Sequence, residues 1–253
     1  MQSNVVFMVN IKNEGNESRS NPYIYSIKSW EKWCKKNNCE LFVLTERIYD
    51  KDIMNPNWHK LFVFDLLENE GIDYNQILIV DSDTIVHPDC PNFFELSDNK
   101  FCGVYCEGSY DWVLRSIENY SKHVFEGHKL SFWKYINSGF LILNESHKKL
   151  YKDIVQFYLN NVELVKGMQE TYHVGTDQPV INFFLDINKI SCKLLPYEYN
   201  MQDMFRKEIL DDDLTFTKLG WIYHYNAIPE NHNAEKTVYW MKKTYEHFYG
   251  ELK

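Results

Sequence analysis

The first third of the chain alternates short apolar runs with longer amphipathic ones, and that alternation limits the fold more than any other feature. "NVVFMVNI" (Asn4 to Ile11) has the length and apolar character of a buried strand. A polar loop, "KNEGNESRSN", leads to Asn21-Pro22, where Pro suits the first position of a helix. Tyr23, Ile27, Trp30 and Cys34 then recur at helical spacing. "ELFVLT" (Glu40 to Thr45) predicts a second strand. "WHKLFVFDLLENEG" predicts one helix with His59, Val63, Leu66 and Leu67 on a face, ended by Gly71. "QILIVD" predicts a third strand. Strands separated by helices return parallel to one another, so the expectation is an α/β fold with a mainly parallel central sheet flanked by helices.

The rest is more mixed. "FCGVYC" and "INSGFLILN" read as strands, the second with a short turn at its start. Leu150, Ile154, Phe157 and Asn161 mark a helix, and "DQPVINFFLD" another, with Pro179 in its first turn. "WIYHYN" reads as a late strand, and Val238, Met241, Tyr245 and Phe248 as a C-terminal helix. There is no internal repeat and no low-complexity linker, so a single domain over residues 1–253 is expected. A hydrophobic fraction of 44% and an aromatic fraction of 16% supply its core and argue against disorder.

The formal net charge of −9, without a basic stripe, speaks against a nucleic-acid partner. A chain this acidic needs a metal or a few placed cations to handle an anionic small molecule. None of the six cysteines forms a CxxC pair; Cys102 and Cys106 would share a face of a strand, but a zinc site needs two more ligands close by. Reduced, partly buried thiols are expected. "MQSNVVFMVN" lacks the pattern of a signal peptide, and no run approaches the ~18 apolar residues of a membrane span. The expectation is a cytoplasmic, soluble protein, or one peripheral to a membrane.

In parallel α/β sheets ligands bind outside the carboxyl ends of the strands. Asp81-Ser82-Asp83 stands there, after the apolar run Ile77 to Val80. Two carboxylates at i and i+2 make a hard oxygen site suited to Mg²⁺ or Mn²⁺; the plainer reading is a solvated turn with capping aspartates. Two chemistries use such a pair. In sugar-nucleotide transfer a metal bridges the diphosphate. A phosphatase of the haloacid dehalogenase type uses Asp-x-Asp-x-Thr after its first strand. "DSDTI" departs from that motif, because Thr84 adjoins the second Asp and two strands precede it. "LDDDL" (Leu210 to Leu214) could imitate that enzyme's late acidic pair but lacks an apolar strand before it.

Four segments in order carry a more specific resemblance. "WHKLFVFDLLENEGIDYNQILIVDSDTIVHPDCPNFFEL" resembles the core of family 8-type, glycogenin-like glycosyltransferases of the GT-A fold. "YINSGFLILN" resembles their Phe-Asn-Ser-Gly strand, "GTDQPVINFF" their Asp-Gln helix start, and "IYHYN" the late strand with their third metal ligand. The resemblance implies a GT-A (Rossmann-like) domain that transfers a sugar from a nucleoside-diphosphate sugar, UDP-linked in the first instance, with retention of configuration. It implies that Asp81, Asp83 and His224 hold Mn²⁺ or Mg²⁺, and that Lys60, Asp81, Ser82, Asn137 and Ser138 meet the donor. Asp177 and Gln178 would lie at the reacting carbon. Topology alone brings Val9 and Asn10, at the end of the first strand, towards the nucleobase.

Each of these residues also has an ordinary reading: a strand histidine, a helix lysine, an Asn-Gly turn, a helix-capping Asp177. The chain departs from the pattern after His224, where the position of the family's phosphate-binding lysine is Glu230 and Lys236 is the nearest candidate replacement. His232 reads as a surface loop residue. Trp112, Trp133 and Tyr110 are candidates either for core packing or for stacking on a sugar acceptor. The acceptor class (glycan, lipid-linked or protein) stays open, as do two other functions: the phosphatase, and a non-catalytic sugar-nucleotide-binding module.

Overall fold

The computed structural model describes residues 3–11, 23–202, 204, 210–226, 228 and 234–252. β1 (Ser3–Val9), β2 (Glu40–Leu44) and β3 (Tyr74–Asp81) form the predicted parallel core, joined by α1 (Tyr23–Asn37) and α2 (Val63–Asn69). β4 (Thr84–Val86) follows at once, then β5 (Phe101–Tyr105), α3 (Tyr110–His123) and β6 (Ile136–Leu143). The remaining elements are α4 (Lys148–Asn160), α5 (Val162–Tyr172), α6 (Asp177–Ile187), β7 (Cys192–Leu195), β8 (Ile222–His224) and α7 (Ala234–Tyr249). The large sheet has the order β2-β1-β3-β6-β5-β7, in which β6 alone runs against the others. β4 and β8 pair separately, antiparallel. The Asn21-Pro22 helix start lies outside the described residues. Among the described residues, no helix is long and apolar enough to cross a membrane.

Both faces of the sheet are covered, and the strands follow the two-residue period. Val5, Phe7, Ile77, Ile79, Leu141 and Leu143 face a core built with α2 to α6. Val6, Met8, Leu78, Val80, Phe140 and Ile142 face Trp30, Trp33 and Cys34 of α1, with Phe93 and Phe94 between. A third cluster joins Ile85, Tyr223 and Tyr225 to Met241 and Tyr245 of α7, and so fixes the small sheet.

Three local expectations give way. The helix expected from Trp58 to Gly71 is a tighter 3-10 segment, Pro56–Phe62, followed by the short α2. Three residues per turn put Trp58 and Leu61 on one buried side and turn Lys60 towards the strand ends. The turn expected at Asn137-Ser138-Gly139 is part of β6. The ladder partners of β6 skip those three residues; Lys60 and Gln178 take up the backbone of Ser138, and Asn137 Oδ1 accepts from the Gly139 amide. Cys102 and Cys106 do not share a face; a register shift between Gly103 and Tyr105 sends them into opposite cores. All six cysteines are thiols.

Phe93 anchors the α1 side. It stacks on Trp33 at 4.5 Å and 4° and meets Phe140 edge-on at 5.5 Å. Phe93→Ala leaves a cavity that this aromatic layer does not close, so urea denaturation should register a loss of about 3–5 kcal/mol with an unchanged slope.

Candidate active site

β1 and β3 end level because their parallel register pairs Val9 with Asp81. β6 starts beside them, and α6 begins at Asp177. The ends of β1 and β3, with the 3-10 segment, form a cleft of about 350 Å³ lined by Val9, Asn10, Asn57, Lys60, Asp81, Ser82 and Asp83, among others. Val9, Asn10, Lys60, Asp81 and Ser82 of the expected donor set therefore lie together. Asn10 Oδ1 is buried there with no hydrogen-bond partner among the described residues.

His224 arrives from the small sheet. β4 starts one residue after Asp83 and pairs Thr84 with His224, and the Tyr225 amide donates to the Asp83 carbonyl (2.8 Å). The imidazole Nε2 then lies 3.1 Å from Asp83 Oδ1 and 3.8 Å from Asp81 Oδ2. Ligand atoms of Asp81, Asp83 and His224 all fall within 4.8 Å of one another, so the three form a group that could hold a divalent cation. Two further observations fit an ion. Asn200 donates to Asn137 Oδ1 (3.0 Å), which leaves Asn200 Oδ1 to accept from His224 Nδ1 (3.0 Å). The outward Nε2 is then the one that carries the lone pair. In addition, three carboxylates, Asp81, Asp83 and Asp177, stand against the single ammonium of Lys60, an excess of acidic groups that a divalent cation offsets.

Gly139 keeps this space open. A Cβ there would come within 2.5 Å of His224 Cε1 and 2.7 Å of Asp81 Oδ2.

Lys60 is the inner partner of the aspartates, its side chain only 3% exposed. Its ammonium donates to Asp81 Oδ1 (2.8 Å) and the Ser138 carbonyl (3.1 Å), and lies 3.3 Å from Asp177 Oδ2. Burial alone would lower its pKa, but Asp177 and Asp81 outweigh burial and hold it above the ordinary lysine value. Asp177 shows the converse: burial raises its carboxyl, Lys60 outweighs that, and the group stays below the usual range. Burial raises Asp83 too, but His224 beside it wins and the group is lowered. For His224, burial opposes the charge, Asp83 favours it more, and the pKa rises. Asp81 is the odd one: enclosure and its acidic neighbours outweigh Lys60 and His224, and it is raised.

Asp177 Oδ1 accepts from Asn57 Nδ2 and Thr176 Oγ1, both at 2.8 Å. Gln178 Oε1 accepts from Asn137 Nδ2 (3.1 Å) and the Ser138 amide (3.0 Å), and its Nε2 donates to Cys106 Sγ (3.4 Å). Asn57, Thr176 and Asn200 thus belong to the site although nothing in the sequence singled them out, and Cys106 belongs to it although the sequence marked it only as one of a cysteine pair. They are isolated polar residues in aperiodic segments. Lys236 stands in the first turn of α7 and does not line the cleft. Glu230 and His232 lie outside the described residues. The acidic stretch after Leu210 is spent elsewhere: Asp211 accepts from the Thr215 amide and Asp212 pairs with Lys243 (2.5 Å).

No family model and no curated protein matches the chain. Among solved structures it is similar to a glycosyltransferase involved in the glycosylation of the major capsid of PBCV-1. That match has a TM-score of 0.59 and 10% identity, and covers 94% of this chain and 98% of that one. It is also similar to the glycosyltransferase GlyE of Streptococcus pneumoniae TIGR4, with a TM-score of 0.53 and 12% identity over 95% of this chain. There it spans only 60% of the matched chain's length. At such identities the likeness is one of architecture, and the architecture is the GT-A glycosyltransferase fold.

Lys60→Met keeps the aliphatic stem and removes the charge between the enclosed carboxylate of Asp177 and the one-third-exposed Asp81. At pH 7 in EDTA the variant should lose about 3–5 kcal/mol by urea denaturation. The lowered Asp177 stabilises the wild type above its unfolded pKa of ~3.9, and that contribution fades only as pH falls through the still lower folded value. Without Lys60 the same carboxyls titrate higher, so the variant recovers relative to wild type as the buffer is taken from pH 7 to pH 5. A gap that stays constant with pH would contradict the ion cluster.

Proposed function

We propose that this chain is a metal-dependent glycosyltransferase that moves a sugar from a nucleoside-diphosphate donor, UDP-linked, to an acceptor hydroxyl with retention of configuration. The observation that carries the reading is the Asp81–Asp83–His224 group, set at the strand ends beside the cleft of a GT-A fold. Retention and the choice of UDP rest on the motif resemblance; a single domain over residues 1–253 and a cytoplasmic setting rest on features of the sequence.

In this reading Asp81, Asp83 and His224 hold Mn²⁺ or Mg²⁺; an imidazole among oxygens favours Mn²⁺. When bound, the ion neutralises the diphosphate and stabilises the departing nucleotide. Val9 and Asn10 take the nucleobase, with the unpaired Asn10 Oδ1 as an acceptor for it. Ser82, Asn137 and Ser138 line the path of the donor. Lys60 has Asp81, Asp177 and the Ser138 carbonyl as acceptors, so it positions all three before it meets any phosphate. Lys236 does not line the cleft and has no part in holding the phosphates in this reading. Asp177, held in its charged form at the start of α6, faces the positive charge that develops on the sugar carbon. Gln178 fixes Asn137 and Ser138 around that carbon.

Thermal melting against UDP, GDP, CDP and ADP, each with Mn²⁺ or with EDTA, tests the proposal. A ligand at a hundred times its dissociation constant stabilises by about 2.7 kcal/mol. A rise with UDP and Mn²⁺ that vanishes in EDTA is expected; no rise with any nucleotide overturns the reading, and phosphate monoesters would be tried next. Asp83→Ala should abolish the metal-dependent rise while its own melting transition survives. Gln178→Ala should lower the transfer rate more than it weakens donor binding, which single-turnover kinetics with labelled donor separates from a binding defect.

A further inference from the structure

On the β5 side of the site, four aromatic rings lie together at the surface: Tyr105, Tyr110, Phe132 and Trp133. Trp133 is 70% exposed and Tyr110 67%, the two highest values among the large hydrophobic side chains. Rings of this size belong in a core or against a partner. They are also ordered against each other. Trp133 lies over Tyr105 (6.1 Å, 21°), Tyr110 over Phe132 (5.3 Å, 23°), and Phe132 stands upright to Trp133 (5.2 Å, 89°). Two faces steeply inclined to one another therefore look out to solvent.

Two contacts tie this corner to the site. Cys106, the residue after Tyr105, accepts from Gln178 Nε2. Trp112, two residues after Tyr110, packs against Gly175 just before Thr176 and Asp177; a Cβ at Gly175 would lie 3.0 Å from its indole. The corner thus borders the start of α6 on the side of β5, whereas the donor cleft opens on the side of β1 and β3.

We infer that Tyr105, Tyr110, Phe132 and Trp133 form the acceptor subsite and that its occupant is a carbohydrate chain, stacked by its C–H faces on Trp133 and Tyr110. This rests on the glycosyltransferase reading above and names its acceptor class. Aromatic faces carry a negative quadrupole and attract the slightly positive C–H face of a sugar ring. The exposed carboxylate of Glu107 at the rim can accept hydrogen bonds from sugar hydroxyls, while Asp111 is paired with Arg115 and Lys134 stands exposed beside Trp133. The Tyr105 hydroxyl is buried without a hydrogen-bond partner among the described residues, and a sugar hydroxyl supplies one.

The test is titration of the full chain, with UDP and Mn²⁺ present, against four soluble hexasaccharides: maltohexaose, cellohexaose, chitohexaose and mannohexaose. Phosphatidylglycerol–phosphatidylcholine vesicles serve as the competing surface. At least one hexasaccharide should bind, and Trp133→Ala and Tyr110→Ala should each weaken it roughly tenfold. Tyr239→Ala, which removes an exposed ring on α7, should leave it unchanged. Melting midpoints of the variants control for folding. Absence of binding, equal binding by the variants, or binding to vesicles alone overturns the assignment. The nucleotide melting shift separates the two proposals. A shift without oligosaccharide binding removes the subsite only. Oligosaccharide binding without a shift removes the transferase reading and leaves a carbohydrate-binding face.

Discussion

A lysine ammonium enclosed between two carboxylates is the interaction on which the site depends. Lys60 comes from the 3-10 segment, Asp81 from the end of β3, Ser138 from the start of β6 and Asp177 from the start of α6. Four separate chain segments must meet for its charge to be matched. A buried ion pair of this kind adds little net stability against an apolar replacement, but an incomplete one is strongly unfavourable. The cluster therefore acts as a condition on the fold: arrangements that leave any one segment out are penalised. Asp81 is shared by both halves of the site. Its Oδ1 is held by Lys60, and its Oδ2 faces His224.

His224 comes from outside the large sheet, and its delivery depends on backbone pairing more than on side chains. β4 leaves the aspartate turn directly and pairs with β8, so the imidazole is set by register. A run of amides then fixes its ring. His224 bonds Asn200, Asn200 bonds Asn137, Asn137 bonds Gln178, and Gln178 reaches Cys106. This chain crosses the floor of the site, beneath the point where Gly139 leaves room for the carboxylate and imidazole. A network with each member bonded to the next is rigid, and rigidity suits a group meant to hold an ion without rearranging.

How much of this the sequence disclosed follows from where the signals were periodic. β1 to β3 and their helices were legible, because buried parallel strands read as apolar runs and helices as 3.6-residue repeats. Asp81 and Asp83 were legible for the same reason, being polar at the end of such a run. His224 carried no signal of its own and was found only through the order of motifs around it. Asn137-Ser138-Gly139 read as a turn because Asn and Gly favour turns, yet Lys60 and Gln178 satisfy its backbone and keep it in β6. Short β4 and β7 and the helices α3 and α5 were missed. Asn57 and Asn200 are single polar residues in irregular segments, and no period announces them.

The same few residues connect charge chemistry to recognition. Tyr105 and Cys106 are neighbours, yet the thiol touches Gln178 inside the site while the ring joins the exposed aromatic corner. Strand alternation makes this possible, since consecutive side chains point to opposite sides. The ion-binding group and Lys60 sit on strand ends and a buried segment, where a small displacement breaks several bonds at once. The aromatic corner is built on the end of β5, a short 3-10 segment (Phe132–Lys134) and the first turn of α3, where its two most exposed rings can change with little effect on the core. On the proposed reading, such a division lets the fold hold the charge cluster constant while a few surface rings change without loosening it.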